Sequence, residues 1–201
     1  MALYKNTGLL ISVVGVVALL TGCGNAKDAN KDNFKKAIQD YLDTQPGLCA
    51  AVPSRELPFT LADQGLWSSS GKERADALAE IGFLEKKPTQ VKAAFGNKME
   101  SATEYQLTSE GEKALNEHRF CTGQYQVIEV DNFTEPGDMM GVTISEAKYR
   151  YRIKDAADWA NNEALQAAYK EFAEAGQAEV KSKAVLILTG DGWLHERLYQ
   201  D

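Results

Sequence analysis

The 201-residue sequence has few of the residues from which metal sites and acid–base catalytic sites are built. It contains two histidines, three cysteines and no Cys-x-x-Cys pair, so it offers no ligand spacing typical of a zinc site. It also lacks the Gly-x-Ser-x-Gly, His-Glu-x-x-His and phosphate-loop patterns of several enzyme classes. His118, His195, Asp138 and Asp191 are titratable candidates, but no nucleophile lies at a recognisable spacing from a base. We therefore predict a non-catalytic protein that holds no metal or other cofactor.

Basic residues are outnumbered by acidic ones. The sequence has 22 lysines and arginines against 29 aspartates and glutamates, which gives a formal net charge of −7. A surface with this balance stays soluble and repels phosphate polymers. We therefore do not expect a nucleic-acid partner.

Long apolar runs are also missing from the sequence. One short run extends from Gly8 to Leu20. It is too short for a membrane-spanning helix, which requires about 20 residues. It follows Lys5 and ends in small residues before Cys23. This order predicts a secretory signal peptide over residues 1–22. The alternatives are a short transmembrane anchor and a buried core helix.

The segment Leu20-Thr21-Gly22-Cys23 resembles the lipobox of bacterial lipoproteins. The resemblance implies cleavage before Cys23, which would then carry a diacylglyceryl thioether and an N-linked acyl chain such as palmitate. Three acyl chains are enough to hold a protein on a bilayer, whereas one chain binds only marginally. Because Gly24 rather than Asp follows the cysteine, the resemblance favours the outer membrane, facing the periplasm. Residues 23–31 are small, polar and charged, which predicts a flexible tether.

Two further cysteines, Cys49 and Cys121, remain after Cys23 is lipidated. Because the periplasm is oxidising and the number is even, we predict a disulfide between them. It would close a loop of about 70 residues and stabilise the fold by about 4 kcal/mol. The alternative is two separate buried thiols, which behave as small apolar groups.

The residues from 32 to 122 show alternating helix and strand signals. Helical periodicity predicts helices over 32–44 and from Ser70 to Gly82, where Ser70 opens a capping box. Strands are predicted over 83–87 and 103–108. A further helix is predicted to run from Ser109 to about Phe120.

This order of helix, hairpin and Tyr105-x-Leu107-Thr108-x-x-Gly111 resembles a winged-helix domain. The resemblance implies a winged-helix-like module over 32–122. The helix that would read DNA in such a module carries more acidic than basic residues, and phosphate contacts need the opposite charge. We therefore expect a protein-interaction scaffold, with Lys92 and Lys98 of the wing as candidate contacts.

The residues from 123 to 201 alternate mostly as strands. Strands are predicted over 125–133, 142–154, 184–189 and 193–199, with one helix over 161–175. They predict an antiparallel sheet packed on that helix. The expected fold class is therefore α+β in two modules.

A row of cations lies on one face of the predicted 142–154 strand: Lys148, Arg150, Arg152 and Lys154. Alternate residues of a strand stand about 7 Å apart, so this row is a candidate surface for an acidic partner. The alternative is that Glu129 and Asp131 of a neighbouring strand neutralise the row as cross-strand ion pairs.

Together these features predict a lipid-anchored, non-catalytic envelope protein that binds or assembles with a protein partner. Within the binding class, the alternative is an immunity or exclusion lipoprotein that blocks a toxin or a phage. From another class, the alternative is a periplasmic hydrolase acting on cell-wall material. The sequence predicts no particular small-molecule ligand.

Overall fold

The computed structural model describes residues 25–64, 69–93 and 97–200. The predicted signal peptide over 1–22 and the lipobox cysteine, Cys23, lie outside the described residues. Within them the fold is α+β and consists mostly of antiparallel strands, which confirms the predicted class. None of the helices in this part of the chain is long and apolar enough to cross a membrane.

The α-helices of the described residues are short. In chain order they are α1 (Lys31–Leu42), α2 (Ser69–Glu80), α3 (Ser109–Ala114), α4 (Glu163–Ala168) and α5 (Lys170–Ala175). α1 matches the helix predicted over 32–44. It begins after Asn30, whose side-chain oxygen accepts a hydrogen bond from the Asn33 amide at 2.9 Å and so caps the helix.

The strands in the described part of the chain form three antiparallel sheets. In chain order they are β1 (Leu48–Ala51), β2 (Phe59–Ala62), β3 (Leu84–Lys92), β4 (Met99–Leu107), β5 (Leu115–Asn116), β6 (Arg119–Thr122), β7 (Gln124–Phe133), β8 (Gly137–Met139), β9 (Val142–Lys154), β10 (Val180–Thr189) and β11 (Gly192–His195). The large sheet has the order β11-β10-β9-β7, with β8 added on β9. The two smaller sheets have the orders β1-β6-β5 and β2-β4-β3. α2, the β3–β4 hairpin and α3 follow one another in the predicted order.

The helix that covers the large sheet is α1. Its buried residues recur at helical spacing, so one face of the helix is apolar. Phe34 and Ile38 on this face belong to the same core as Val127, Ala147 and Leu186 of the sheet. The prediction that the helix over 161–175 would fill this place is therefore wrong.

The residues predicted as that helix pack on the other core. They form a 3₁₀ turn, α4 and α5, and the chain breaks out of helical geometry at Tyr169, where φ is −127° and ψ is 105°. Leu165 and Phe172 pack with Leu78 and Phe120 of the N-terminal half. α1 of the N-terminal half thus packs on the sheet of the C-terminal half, whereas α4 and α5 of the C-terminal half pack on the core of the N-terminal half. The predicted boundary between 122 and 123 therefore does not separate the two cores.

The predicted helix from Ser109 to Phe120 is shorter than expected. It ends at Ala114, and the chain turns back through Glu117 and His118, which have φ values of 45° and 62°. β6 must be extended because Phe120 is fully buried and Cys121 pairs with a neighbouring strand. His118, predicted near a helix end, therefore lies exposed in a strand turn.

One edge of the large sheet, strand β7, is covered by side chains of α1. Gln39 Nε2 donates to the Tyr125 carbonyl at 2.8 Å, and Gln39 Oε1 accepts from the Val127 amide at 2.7 Å. Lys35 Nζ donates to the Ile128 carbonyl at 2.8 Å. An unpaired strand edge is a template for association with other chains. α1 therefore covers both one face of the sheet and the edge of β7.

The residues just before α1 are held at one end of the large sheet. Trp193 Nε1 donates to the Lys27 carbonyl at 3.1 Å. Asn33 Nδ2 donates to the carbonyls of Asn25 and Asp28, both at 2.9 Å. Residues 25–30 therefore do not form the free tether that was predicted for 23–31.

Candidate functional site: a tyrosine-lined cleft

An open cleft of about 410 Å³ lies between the C-terminal end of α1 and the large sheet. Four tyrosines line it: Tyr41, Tyr125, Tyr149 and Tyr151. We call it the tyrosine cleft. Arg119 of β6 and Glu171 of α5 also line it and supply one charge of each sign. The cleft therefore combines aromatic surface with groups that can form hydrogen bonds and ion pairs.

Strand alternation brings three of the tyrosines to one face of the sheet. Tyr149 and Tyr151 are two residues apart on β9, and their ring centroids are 6.0 Å apart. Tyr151 pairs with Val127 on β7, so Tyr125 is its diagonal neighbour, with ring centroids 5.6 Å apart. Tyr149 is only 5% exposed, whereas Tyr125 and Tyr151 are half-buried. The buried ring supports the two that a ligand can reach.

These phenols are neutral at physiological pH, because the ordinary tyrosine pKa is about 10, and burial makes their ionisation harder still. It raises the pKa of Tyr125, Tyr149 and Tyr151, and the Glu171 carboxylate adds to the rise at Tyr125. At neutral pH each hydroxyl is therefore protonated and able to donate a hydrogen bond. The cleft is suited to a ligand with hydrogen-bond acceptors and some apolar surface.

The predicted disulfide is present beside the cleft. Cys49 on β1 and Cys121 on β6 are directly paired across the strands, and their sulfurs are bonded. This confirms the prediction. Cys49 and Arg119 both line the cleft, so the bond holds together the two strands that form its rim.

The loop before β1 approaches a neighbouring backbone closely. Gly47 has a φ of +84°, and a Cβ there would lie 2.2 Å from the Gly123 carbonyl oxygen. Only glycine fits both the backbone angle and the contact. The loop can therefore form the end of the cleft against the start of β7.

Tyr41 is stacked on a buried histidine. The rings of Tyr41 and His195 are 4.0 Å apart and nearly parallel. His195 Nδ1 accepts a hydrogen bond from the Arg197 amide at 3.1 Å, and the side chain is only 5% exposed. Burial lowers the pKa of His195. In this position the imidazole is a neutral support for Tyr41.

We expect acid to destabilise the protein through His195. The ordinary histidine pKa is about 6.5, and the folded value is lower, so the unfolded chain binds the proton more readily. The free energy of unfolding should therefore fall as the pH drops from about 6.5 through the lowered pKa. In urea titrations across this range, His195→Asn should show a flatter dependence on pH. The control His118→Asn should keep the wild-type slope; equal slopes in all three proteins would contradict the assignment.

The row of cations on β9 is partly neutralised. Arg150 forms ion pairs with Glu129 at 2.7 Å, with Asp131 at 2.8 Å, and with Glu179. Hydrogen bonds to Asp131 and Glu179 raise the pKa of the guanidinium further. At Arg150 the alternative of cross-strand ion pairs is therefore the correct one.

The other members of the row are exposed. Arg152 Nε donates to Gln126 Oε1 at 2.9 Å, and Lys154 Nζ lies 3.4 Å from an Asp155 carboxylate oxygen. Lys148 pairs in register with Lys183 of β10, so two cations stand side by side. Their role in binding stays a prediction, as it does for Lys92 and Lys98 near the end of the β3–β4 hairpin.

A second cluster of charged side chains joins α2 to the hairpin. The Tyr105 hydroxyl donates to Asp76 Oδ1 at 2.9 Å, and Lys72 Nζ lies 3.1 Å from the hydroxyl and 3.2 Å from Asp76 Oδ2. Partial burial raises the pKa of Asp76, but hydrogen bonds from Tyr105, Lys86 and Lys72 outweigh this effect and lower it. The Tyr105 residue is fully buried, so this cluster acts as a structural clamp.

The tyrosine cleft was not predicted from the sequence. Alternation along the 142–154 strand places Tyr149 and Tyr151 on the face opposite the row of cations, but the wrong helix was predicted to cover that face. A signal was present, because Tyr41 follows Phe34 by seven residues and so lies on the same apolar face of α1. Trp159 and Trp193 pack in the two cores, and Trp67 lies outside the described residues.

Among the described residues, no three histidine, cysteine or acidic side chains are grouped so that they could hold a metal ion. No family model matches the chain, and no similar protein was found among curated sequences or solved structures.

Proposed function

We propose that this chain is a lipid-anchored, non-catalytic protein of the bacterial cell envelope that binds a protein partner through the tyrosine cleft. The observation that carries the proposal is the convergence of four tyrosines with Arg119 and Glu171. Tyrosine and arginine are enriched where protein interfaces bind most tightly. A tyrosine ring also offers a large contact area while losing little conformational freedom.

The anchor in this proposal is Cys23. The resemblance of Leu20-Thr21-Gly22-Cys23 to a lipobox supports it, and Gly24 favours the outer membrane, facing the periplasm. The oxidised pair Cys49–Cys121 is consistent with an exported protein.

The N-terminal half serves as a further contact surface in this proposal. We interpret α2 with the β3–β4 hairpin as a winged-helix-like module, supported by the element order and by β2 pairing on β4. Lys92 and Lys98 on the hairpin, and Lys148, Arg152 and Lys154 on β9, are secondary candidates for acidic regions of the partner. Arg150 is left out because three carboxylates already occupy it.

Photo-crosslinking in intact cells tests the proposal. We expect Tyr125→p-benzoylphenylalanine and Tyr151→p-benzoylphenylalanine each to give the same discrete protein adduct upon illumination. The matched control is Lys113→p-benzoylphenylalanine, on an exposed helix away from the lining residues. The same adduct from all three positions, or none from the two cleft positions, would contradict the proposal.

Charge reversal on β9 distinguishes binding through the tyrosine cleft from binding through the row of cations, which we call the basic face. With the photo-crosslinker at Tyr151, changing Lys148, Arg152 and Lys154 to glutamate should leave the adduct in place, with at most a weaker yield. Loss of the adduct in this variant would show that the basic face, and not the cleft, holds the partner. Within residues 25–64, 69–93 and 97–200, no contact specifically favours the immunity or the hydrolase alternative.

A further inference from the structure

Two turns of the large sheet lie at the same end. β9 pairs with β10 so that Ile144 is opposite Ile187, and β10 continues to Thr189, which is opposite Gly192 of β11. The β10–β11 turn therefore stands beside the β8–β9 turn, since β9 begins at Val142. Both turns belong to one edge of the molecule, which we call the turn end.

The start of the described chain is held at this turn end. A Cβ on Gly192 would lie 2.9 Å from the Ala26 carbonyl oxygen, and Trp193 Nε1 donates to the Lys27 carbonyl. Cys23 precedes Asn25 by two residues, and two residues of chain span at most about 7 Å. A lipid on Cys23 would therefore leave the protein at the turn end.

The β8–β9 turn exposes two adjacent methionines. Met140 is 100% exposed and Met139 is 57% exposed. Among the described residues, the other large apolar side chain with comparable exposure is Met99, at 52%, in a different sheet. Contiguous exposed apolar surface marks contacts with other proteins or with membranes, whereas apolar side chains exposed singly need no such explanation. Methionine is flexible and apolar, which suits contact with a surface that has no fixed shape.

We propose that the Met139–Met140 turn is a second membrane contact, which enters the same lipid leaflet that holds the Cys23 anchor. The inference rests on the proposed lipidation of Cys23. We assign a lipid surface as the occupant because the chain that leads to the Cys23 anchor begins at the turn end. The anchor therefore brings the bilayer, and no other partner, next to this turn. Apolar side chains at such a surface exchange water for acyl chains, which is favourable.

The charges beside the turn indicate the kind of lipid surface. Asp138 precedes the methionines, and Asp191 lies in the neighbouring turn; both are exposed. Two carboxylates repel anionic headgroups. The contact therefore fits a leaflet rich in zwitterionic lipid, such as phosphatidylethanolamine.

A second contact would fix the orientation of the protein. Tyr151 lies nine residues along β9 from Val142, which is about 30 Å of extended strand. With both the anchor and the turn on the membrane, the large sheet stands upright. The tyrosine cleft then faces away from the bilayer, where a partner can reach it.

Photo-methionine provides the test with its own internal control. The 201-residue sequence has four methionines, and Met1 would be removed with the signal peptide, so label remains at Met99, Met139 and Met140. The lipidated protein is reconstituted in phosphatidylethanolamine-rich vesicles, isolated by flotation and illuminated. We expect lipid adducts on the peptide that contains Met139 and Met140, and none above background on the peptide that contains Met99.

Each other outcome overturns the inference in a recognisable way. If the protein floats with the vesicles but gives no adduct at Met139 and Met140, the anchor holds and the second contact is wrong. Adducts to protein at these positions would mark the turn as a contact with another chain. Equal lipid adducts at Met99 would show unspecific contact. If the protein does not float, the lipid anchor fails and the inference fails with it.

Discussion

Replacing Phe34 with alanine should lower the free energy of unfolding by about 3–5 kcal/mol. The ring is fully buried between α1 and the large sheet and makes edge-to-face contacts with Phe133 at 4.8 Å and Trp193 at 4.7 Å. Its removal leaves a cavity under the helix that covers the sheet. Urea denaturation followed by circular dichroism measures the loss.

The matched control for Phe34→Ala is Lys36→Ala. Lys36 is exposed on the same helix and pairs with Asp40 at 2.6 Å, a surface contact whose loss costs about 0.5 kcal/mol. If both variants lost the same amount of stability, α1 would not hold the sheet in the way described.

Removing the disulfide should cost about 4 kcal/mol. The bond joins Cys49 and Cys121, which are 72 residues apart, and its main effect is to restrict the unfolded chain. The double variant Cys49→Ala, Cys121→Ala should therefore unfold at a much lower urea concentration. The strand pair β1–β6 and the rim of the tyrosine cleft are then held by backbone hydrogen bonds and packing alone.

A reducing agent supplies the control for this variant. It should lower the urea midpoint of the wild-type protein to nearly that of the double variant, and it should leave the double variant unchanged. A wild-type midpoint that does not respond to reduction would contradict the stabilising role of the bond.

Local signals in the sequence predicted the helices and strands better than they predicted which of them pack together. The strand over 142–154 has the predicted bounds, and the helix over 32–44 is close to α1. Both have a strong apolar period over more than ten residues. The same periodicity shows which face of a helix is buried but not which apolar surface covers it, and so the exchange of helices between the halves was missed.

Segments whose local helical pattern conflicts with a tertiary contact were predicted less well. A helical pattern continues past Ala114, but burial of Phe120 and the bond at Cys121 require extended chain there. The helix predicted over 161–175 breaks at Tyr169, whose hydroxyl donates to the Ala51 carbonyl at 2.6 Å. In both places a tertiary contact outweighs local helix propensity.

Some features of the candidate site could be predicted from the sequence and others could not. The disulfide followed from cysteine number and compartment, and the ion pairs of Arg150 followed from strand alternation as an alternative. The tyrosine cleft could not be predicted, because it needs α1, β6, α5 and the large sheet together. The sequence gives no direct measure of contacts between segments so far apart.

The intact mass of the protein extracted from bacterial membranes shows whether Cys23 carries the lipid anchor. We predict a mature chain that begins at Cys23 and carries three acyl chains, and we predict that Cys23→Ala remains an uncleaved precursor. A membrane-extracted protein that still begins at Met1, or that lacks acyl chains on Cys23, would contradict the lipid anchor. That result would also contradict the proposed envelope function and the second membrane contact, because both rest on the anchor.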